Sequence, residues 1–509
     1  RRQRQMCIRD SIEAALKISE EIPSDFLGEA AKILLASGRP TKALKLYSRI
    51  SHEHASGTLL LGRGQAELRS GRLSEAFRTF DEAVAKLQKE GKKEEALRAL
   101  RAKAASARAL GELEEAAGAA KQILSRCEKD STEELEALHL LGLIAKERSE
   151  LSEARDLFRE VVQKARKLAE KRRLAVALTN LGNVLRVEGD LDAALGAFSE
   201  ALNIRVKEKD EQGVAVTASS LAQAQFQRGD LNAALQAISE SYRRFVSAGD
   251  MKGCAVALAN RGIFLWYLGE IEEAKACLRR AKNLAERTAD RRRCVEISLN
   301  LGFLLLLQGD RSFEALLAPF EESSDLPSEL KELAKSFLTL GLVRQGKPLP
   351  KELRADLLVE ELRLLRDPET KAQCAACLSE SLLAAGEAEG ALTVAKEGYR
   401  ALPSAGSPFL RCTLARTLGE SWRELGPLWA DQAERYLGEA LRSADALRFA
   451  YEAGRARFAW ALYFFYTGNV EEARKFASDA KPFLERVGAA PDLFRVKNFL
   501  TEVDRGIYT

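Results

Sequence analysis

Apolar positions recur along this chain with the period of amphipathic helices, and no run alternates apolar and polar over a strand's length. The pattern is clearest from Leu174 to Leu202, where two apolar-periodic helices flank a tight turn at Gly189-Asp190. Gly182, Ala194 and Ala201 are small residues placed where two helices can approach closely, and Phe198 is the bulky residue that fills the remaining gap. A lone helical hairpin cannot bury both of its faces, so copies are expected to stack on it. Turn signatures do recur, as Gly71-Arg-Leu, Gly111-Glu-Leu, Ser149-Glu-Leu, Gly189-Asp-Leu, Gly229-Asp-Leu, Gly269-Glu-Ile and Gly309-Asp. Successive spacings are 40, 38, 40, 40, 40 and 40 residues.

Helix starts repeat as well. Asp130, Asp210, Asp250 and Asp290 each precede a first helix, and Ser131 with Glu134 forms a capping-box pattern. The acidic residue after each turn (Glu112, Glu150, Asp190, Asp230, Glu270, Asp310) sits where a second helix begins and favours its positive end. A first hairpin turns at Gly38-Arg39-Pro40. Regularity lapses over 311–370, which holds Pro319, Pro327, Pro348, Pro350 and Pro368 of the chain's 12 prolines. The period resumes at Gly386, Gly426 and Gly468. The expected organisation is an N-terminal array over 11–320, a degenerate repeat or joint over 321–370, and a C-terminal array over 371–509. Residues 1–10 lack helical period and an initiator Met and resemble adapter read-through; they are expected to be a non-native or disordered tail, with the natural protein starting upstream.

Composition adds exclusions. Lys+Arg 79 against Asp+Glu 75 leaves a net charge of +4, which gives no global case for nucleic acid or membrane. No apolar run approaches the roughly 20 residues that span a bilayer, and no stretch reads as a secretory leader, so none is expected. Eight scattered cysteines read as small reduced core residues, so a cytoplasmic location is expected.

Leu181-Gly182, Gly189-Asp190, Ala194, Phe198 and Ala201 resemble the tetratricopeptide (TPR) motif. The 40-residue spacing is similar to the longer units of kinesin light chains, of LGN-type receptors and of the maltose-activator helical sensor region. The resemblance implies an all-α, right-handed α-solenoid of about twelve helical hairpins. It also implies that the first helix of each hairpin lines a concave groove that holds an extended or helical peptide.

Stepping 40 residues along that face gives an amide ladder, Asn180, Ser220, Asn260 and Asn300, with Asn183 and Gln223 beside it. Amides that both donate and accept can grip a peptide backbone, or can tie neighbouring helices together. Upstream the face is basic, with Arg98, Arg101, Arg108, Lys146 and Arg186 around His139, which suits an acidic peptide or a solvated charged face. Downstream it turns apolar, with Phe226, Ile263, Trp266, Tyr267, Phe303 and Leu307, either as partner anchors or as filling between hairpins.

Catalytic signals are poor. His52, His54 and His139 are the only histidines and make no multi-His metal site. Cys374-Ala-Ala-Cys377 is a single pair within a helical pattern. Gly341 to Lys347 mimics a phosphate loop, but Pro348 stands where the Mg²⁺-binding hydroxyl belongs and no strand precedes it. The chain therefore reads as a non-catalytic interaction scaffold without cofactor or metal. The alternative is a ligand- or partner-sensing arm of a larger signalling protein (kinase, nucleotide-switch ATPase or transcription regulator) whose effector domain lies outside this sequence.

Overall fold

The computed structural model of the chain describes residues 23–50, 55–350, 353–403 and 406–505. The tail at 1–10, His52 and His54 lie outside these described residues. Among the described residues there is no strand, and the helices follow one another as hairpins. The pairs are α1 (Ser24–Ala36) with α2 (Pro40–Tyr47), α3 (Gly57–Arg69) with α4 (Leu73–Lys89), and α5 (Lys93–Leu110) with α6 (Leu113–Leu124). Next come α7 (Thr132–Glu147) with α8 (Leu151–Lys167), α9 (Lys171–Glu188) with α10 (Leu191–Lys207), and α11 (Glu211–Arg228) with α12 (Leu231–Ala248). Then come α13 (Met251–Leu268) with α14 (Ile271–Arg287), α15 (Arg291–Gln308) with α16 (Ser312–Glu321), and α17 (Ser328–Arg344) with α18 (Ala355–Leu364). The last pairs are α19 (Pro368–Ala384) with α20 (Ala388–Ala401), α21 (Pro408–Glu424) with α22 (Ala430–Ala446), and α23 (Ala450–Tyr466) with α24 (Val470–Arg486). A single helix, α25 (Ala490–Asp504), ends the described chain. Odd numbers are first helices and even numbers second helices. Apart from α17 and α18, each packs mainly on its sequence neighbours, which is the arrangement of an all-α solenoid.

Local chemistry explains the period. Every turn glycine from Gly71 to Gly309 is left-handed, Gly189 for example at φ 87°, and Ser149 takes the same region at φ 64°. The loops between hairpins need it too: Gly91 and Gly249 supply it in two of them, and Asp130, Ala169, Lys209 and Ala289 supply it without glycine. Asp190, Asp210, Asp250 and Asp290 accept backbone N–H groups of the helices they start, whereas Glu112, Glu150, Asp230 and Glu270 cap by charge alone. Ser131 accepts from the Glu134 N–H, and Glu134 accepts from that of Asp130. Inside the stack, fully buried Phe80, Phe158 and Phe198 fill the space left by small residues on first helices. A Cβ on Gly142 would lie 2.8 Å from the Phe158 ring.

Two compact units divide the chain, one through Val184 and one from Leu185, with the boundary inside α9. The stretch 321–370 holds α17 and α18 within the second unit; α18 is only 10 residues long and packs on α20 rather than back on α17, while α17 packs on α19. Its prolines mostly mark helix edges: Pro327 precedes α17, Pro368 opens α19, and Pro348 and Pro350 lie between α17 and α18. No described helix is long and apolar enough to cross a membrane.

Candidate functional site

In the first unit, the first-helix face is organised around Glu136 on α7. Its carboxylate accepts a hydrogen bond from Arg173 of α9 at 2.8 Å and another from Arg101 of α5. Burial would raise this carboxyl, but the two guanidinium groups outweigh it and hold it below the ordinary value. Arg173 also reaches Glu170 at 2.8 Å, and Arg108 pairs with Glu147 at 2.6 Å. One turn along α7, His139 Nε2 lies 2.7 Å from Asn180 Nδ2, which donates when that ring nitrogen is unprotonated. The imidazole is tilted against Phe158, with centroids 5.7 Å apart. Burial, helped by the charge of Arg108, keeps its pKa below the usual histidine value.

The Arg101–Glu136–Arg173 bridge forms a ridge between two clefts. One, of about 380 Å³, lies between α5 and α7 and includes Leu97, Arg98, Ile123 and Arg126. The other, of about 390 Å³, lies between α7 and α9 over Leu135, Val161 and Val176, with Arg172 at its rim.

In the second unit the same face is occupied by the chain's own helices. Phe226 of α11 stacks on Phe409 of α21, and Tyr267 of α13 sits 4.0 Å from the Phe409 ring centroid and 4.5 Å from that of Phe449. Trp266 meets Phe449 and Phe303 edge-on. The turn glycines let this seam close: a Cβ on Gly309 would meet Pro491 at 3.1 Å. Arg486 fastens the seam's edge through Glu270 at 2.9 Å.

Beneath the seam runs a buried chain of alternating charges that sequence reading missed. Arg344, Glu380, Arg416 and Glu452 stand at 36-residue steps on α17, α19, α21 and α23, each bonded to the next. Fully buried Arg416 donates to Glu452 and Glu420, each at 2.7 Å, and to Glu380. Arg455 reaches Glu380 at 2.6 Å, while Arg344 and Tyr451 join Asp492 at 3.2 and 3.0 Å. Burial pushes Glu380 and Asp492 up, but the surrounding arginines overcome it and hold both carboxyls below their ordinary values, Glu380 far below. The 36-residue alternation was the available signal.

The sequence-predicted residues thus fall into separate settings. Arg101, Arg108 and Asn180 bridge first helices of the first unit. Lys146 is exposed, and Asn183 and Gln223 are partly buried. Asn300 donates to its own helix at Glu296, and the buried Asn260 Nδ2 has no hydrogen-bond partner among the described residues. Arg186 is held below the usual arginine value by burial, with Glu369 opposing. Trp266 and Tyr267, read as partner anchors, here anchor the chain's own C-terminal hairpins, because the aromatic rings of α11 and α13 find their apolar counterpart within the unit. The Cys374 thiol, pushed up to about 12 by burial, and buried Cys377 are inert core groups.

These stacked hairpins define the class, a tetratricopeptide repeat protein, and a tetratricopeptide repeat model matches residues 29–91. The chain belongs to the MalT-like TPR region family, whose model matches residues 95–363. Among solved structures, the APC/C hetero-tetramer Cut9–Hcn1 is similar at 13% identity and TM-score 0.37, over 96% of this chain and 98% of that one. A Rap protein complexed with Competence and Sporulation Factor is similar at 13% identity and TM-score 0.46, over 77% of this chain and 98% of that one. No curated protein sequence matches the chain.

Proposed function

We propose that this protein is a non-catalytic interaction scaffold whose first unit holds a peptide across α5, α7 and α9. The observation that carries the reading is the exposed first-helix face around Glu136. Arg98 and Arg101 remain 61% and 53% exposed there, and Val176 39%. An exposed row of guanidinium groups beside apolar clefts supports an acidic partner, with charge setting encounter rate and selectivity. Seven free described cysteines support a reducing compartment, the cytoplasm. A photo-crosslinking side chain at position 176 of the full chain tests the reading in cells. Adducts should form there, vanish with Arg101→Glu, and be missing from a probe at exposed Phe494. Equal labelling at both positions would sink it.

A second reading is favoured by the matched family, described as a region of a protein: a sensing arm that alters the output of an attached effector. It predicts that ligand binding at the first unit changes hydrogen exchange along the seam of the second. Exchange that stays unchanged on binding argues for the plain scaffold.

A further inference from the structure

The two clefts beside Glu136 are near-equal in volume and lie one hairpin apart. Each has an apolar floor, Leu97 and Ile123 in one and Leu135 and Val161 in the other. Their linings carry six lysine or arginine side chains against four glutamates. Glu136 is already satisfied by two arginines. Arg126 and Arg172 make no ion pair among the described residues, and Arg98 makes only a long one, 3.5 Å to exposed Glu94.

We infer that the paired clefts read a short acidic peptide in the polyproline-II conformation, with two apolar side chains three residues apart and carboxylates beside them. The inference rests on the peptide-holding reading of the first unit and adds its ligand's pattern. The two clefts flank α7, and a helix is about 10–12 Å across with its side chains, so their floors lie roughly 10 Å apart. A polyproline-II chain rises about 3.1 Å per residue with three residues per turn, and so returns a side chain to the same face every 9 Å or so. A β-strand returns one about every 7 Å and overshoots at the next, near 13 Å. An α-helix, about 10–12 Å across with its side chains, would ride on the ridge of Arg101, Glu136 and Arg173 and fill neither floor. The free guanidinium groups at the rims then meet carboxylates flanking each apolar residue.

The test is a phage-displayed library of random dodecapeptides, panned on the full chain and re-screened on Arg172→Glu and Val176→Asp. Both sites are at the surface, so the variants should keep the parent's helical circular dichroism and melting curve. The expected result is enrichment of apolar residues at a three-residue spacing with Asp or Glu next to them. Selected peptides should bind about tenfold more weakly to either variant and more weakly in high salt. Enrichment of variant-sensitive peptides with a two- or seven-residue apolar period, or without acids, overturns this inference and leaves the peptide-holding reading standing. A library that yields no peptide sensitive to either variant overturns both.

Discussion

Phe226 on α11 and Phe409 on α21 stack ring on ring, with centroids 4.6 Å apart and planes inclined by only 19°. Phe226 makes the same 4.6 Å, 19° contact with Phe264 on its other side. The ring is thus the middle of a three-layer stack joining helices far apart in the chain. Tyr267 and Phe449 close around Phe409 from the sides.

Phe409→Ala should therefore cost about 3–5 kcal/mol, the usual penalty for emptying a fully buried aromatic site. Its distinctive mark is where the loss shows. Hydrogen exchange should quicken together in α11, α13, α21 and α23. Quickening confined to α21 and α22 would mean that the seam contributes no cooperativity.

Removing Arg416 should be equally costly for a different reason. Arg416→Met leaves Glu380, Glu420 and Glu452 facing one another without their shared cation, and breaking a buried pair this way costs about 3–5 kcal/mol. Denaturant midpoints of the full chain measure it. The pH dependence has a definite sign as well. Glu380 and Asp492 titrate below their unfolded values, so their contribution is complete above the ordinary carboxylate range and is lost as pH falls through and below it. Acid should thus unfold the second unit, with Arg416→Met shrinking the slope. A slope that does not change counts against the ladder.

His139 gives the first unit its own pH response. Its folded pKa lies below the unfolded one, so the unfolded chain binds the extra proton first. Stability should fall as pH drops below the ordinary histidine value near 6.5, and level off beneath the folded pKa. His139→Gln should flatten the melting temperature between neutral and mildly acidic pH. An identical profile for parent and variant would place the response elsewhere.

Left-handed loops without glycine invite a stabilising change. Ala169 sits at φ 55°, a region costing an ordinary residue about 1–2 kcal/mol, while glycine's extra chain entropy costs about 0.5–1 kcal/mol. Ala169→Gly should accordingly gain up to about 1 kcal/mol, and Gly189→Ala should lose about as much. Thermal midpoints of the two variants moving in the same direction would contradict the argument.

Much of the fold was legible because the turns need a special backbone that glycine meets cheaply: Gly71, Gly111 and Gly189 announce themselves. The intervening loops at Lys209 and Ala289 have no glycine and show only through Asp210 and Asp290, which start the helices after them; the loop at Ala169 carries neither sign. At the site, Arg101, Arg108 and Asn180 could be placed on one face by stepping through the repeats, but the carboxylate joining Arg101 to Arg173 could not. The aromatic face at Trp266 and Tyr267 was visible as apolar, yet its covering by Phe409 and Phe449 leaves no local trace. The charge ladder escaped for a simpler reason: it advances by 36 residues, and the face was read at 40.

That ladder constrains how such an array can change length. Deleting one hairpin, from Glu380 to the residue before Arg416, would seat Arg344 against Arg416, a like-charge meeting in a dry interior. Deleting two in succession would bring Arg344 to Glu452 and restore the match. Copying or loss in this half of the molecule is thereby confined to even steps, as though the hairpins were dealt in couples.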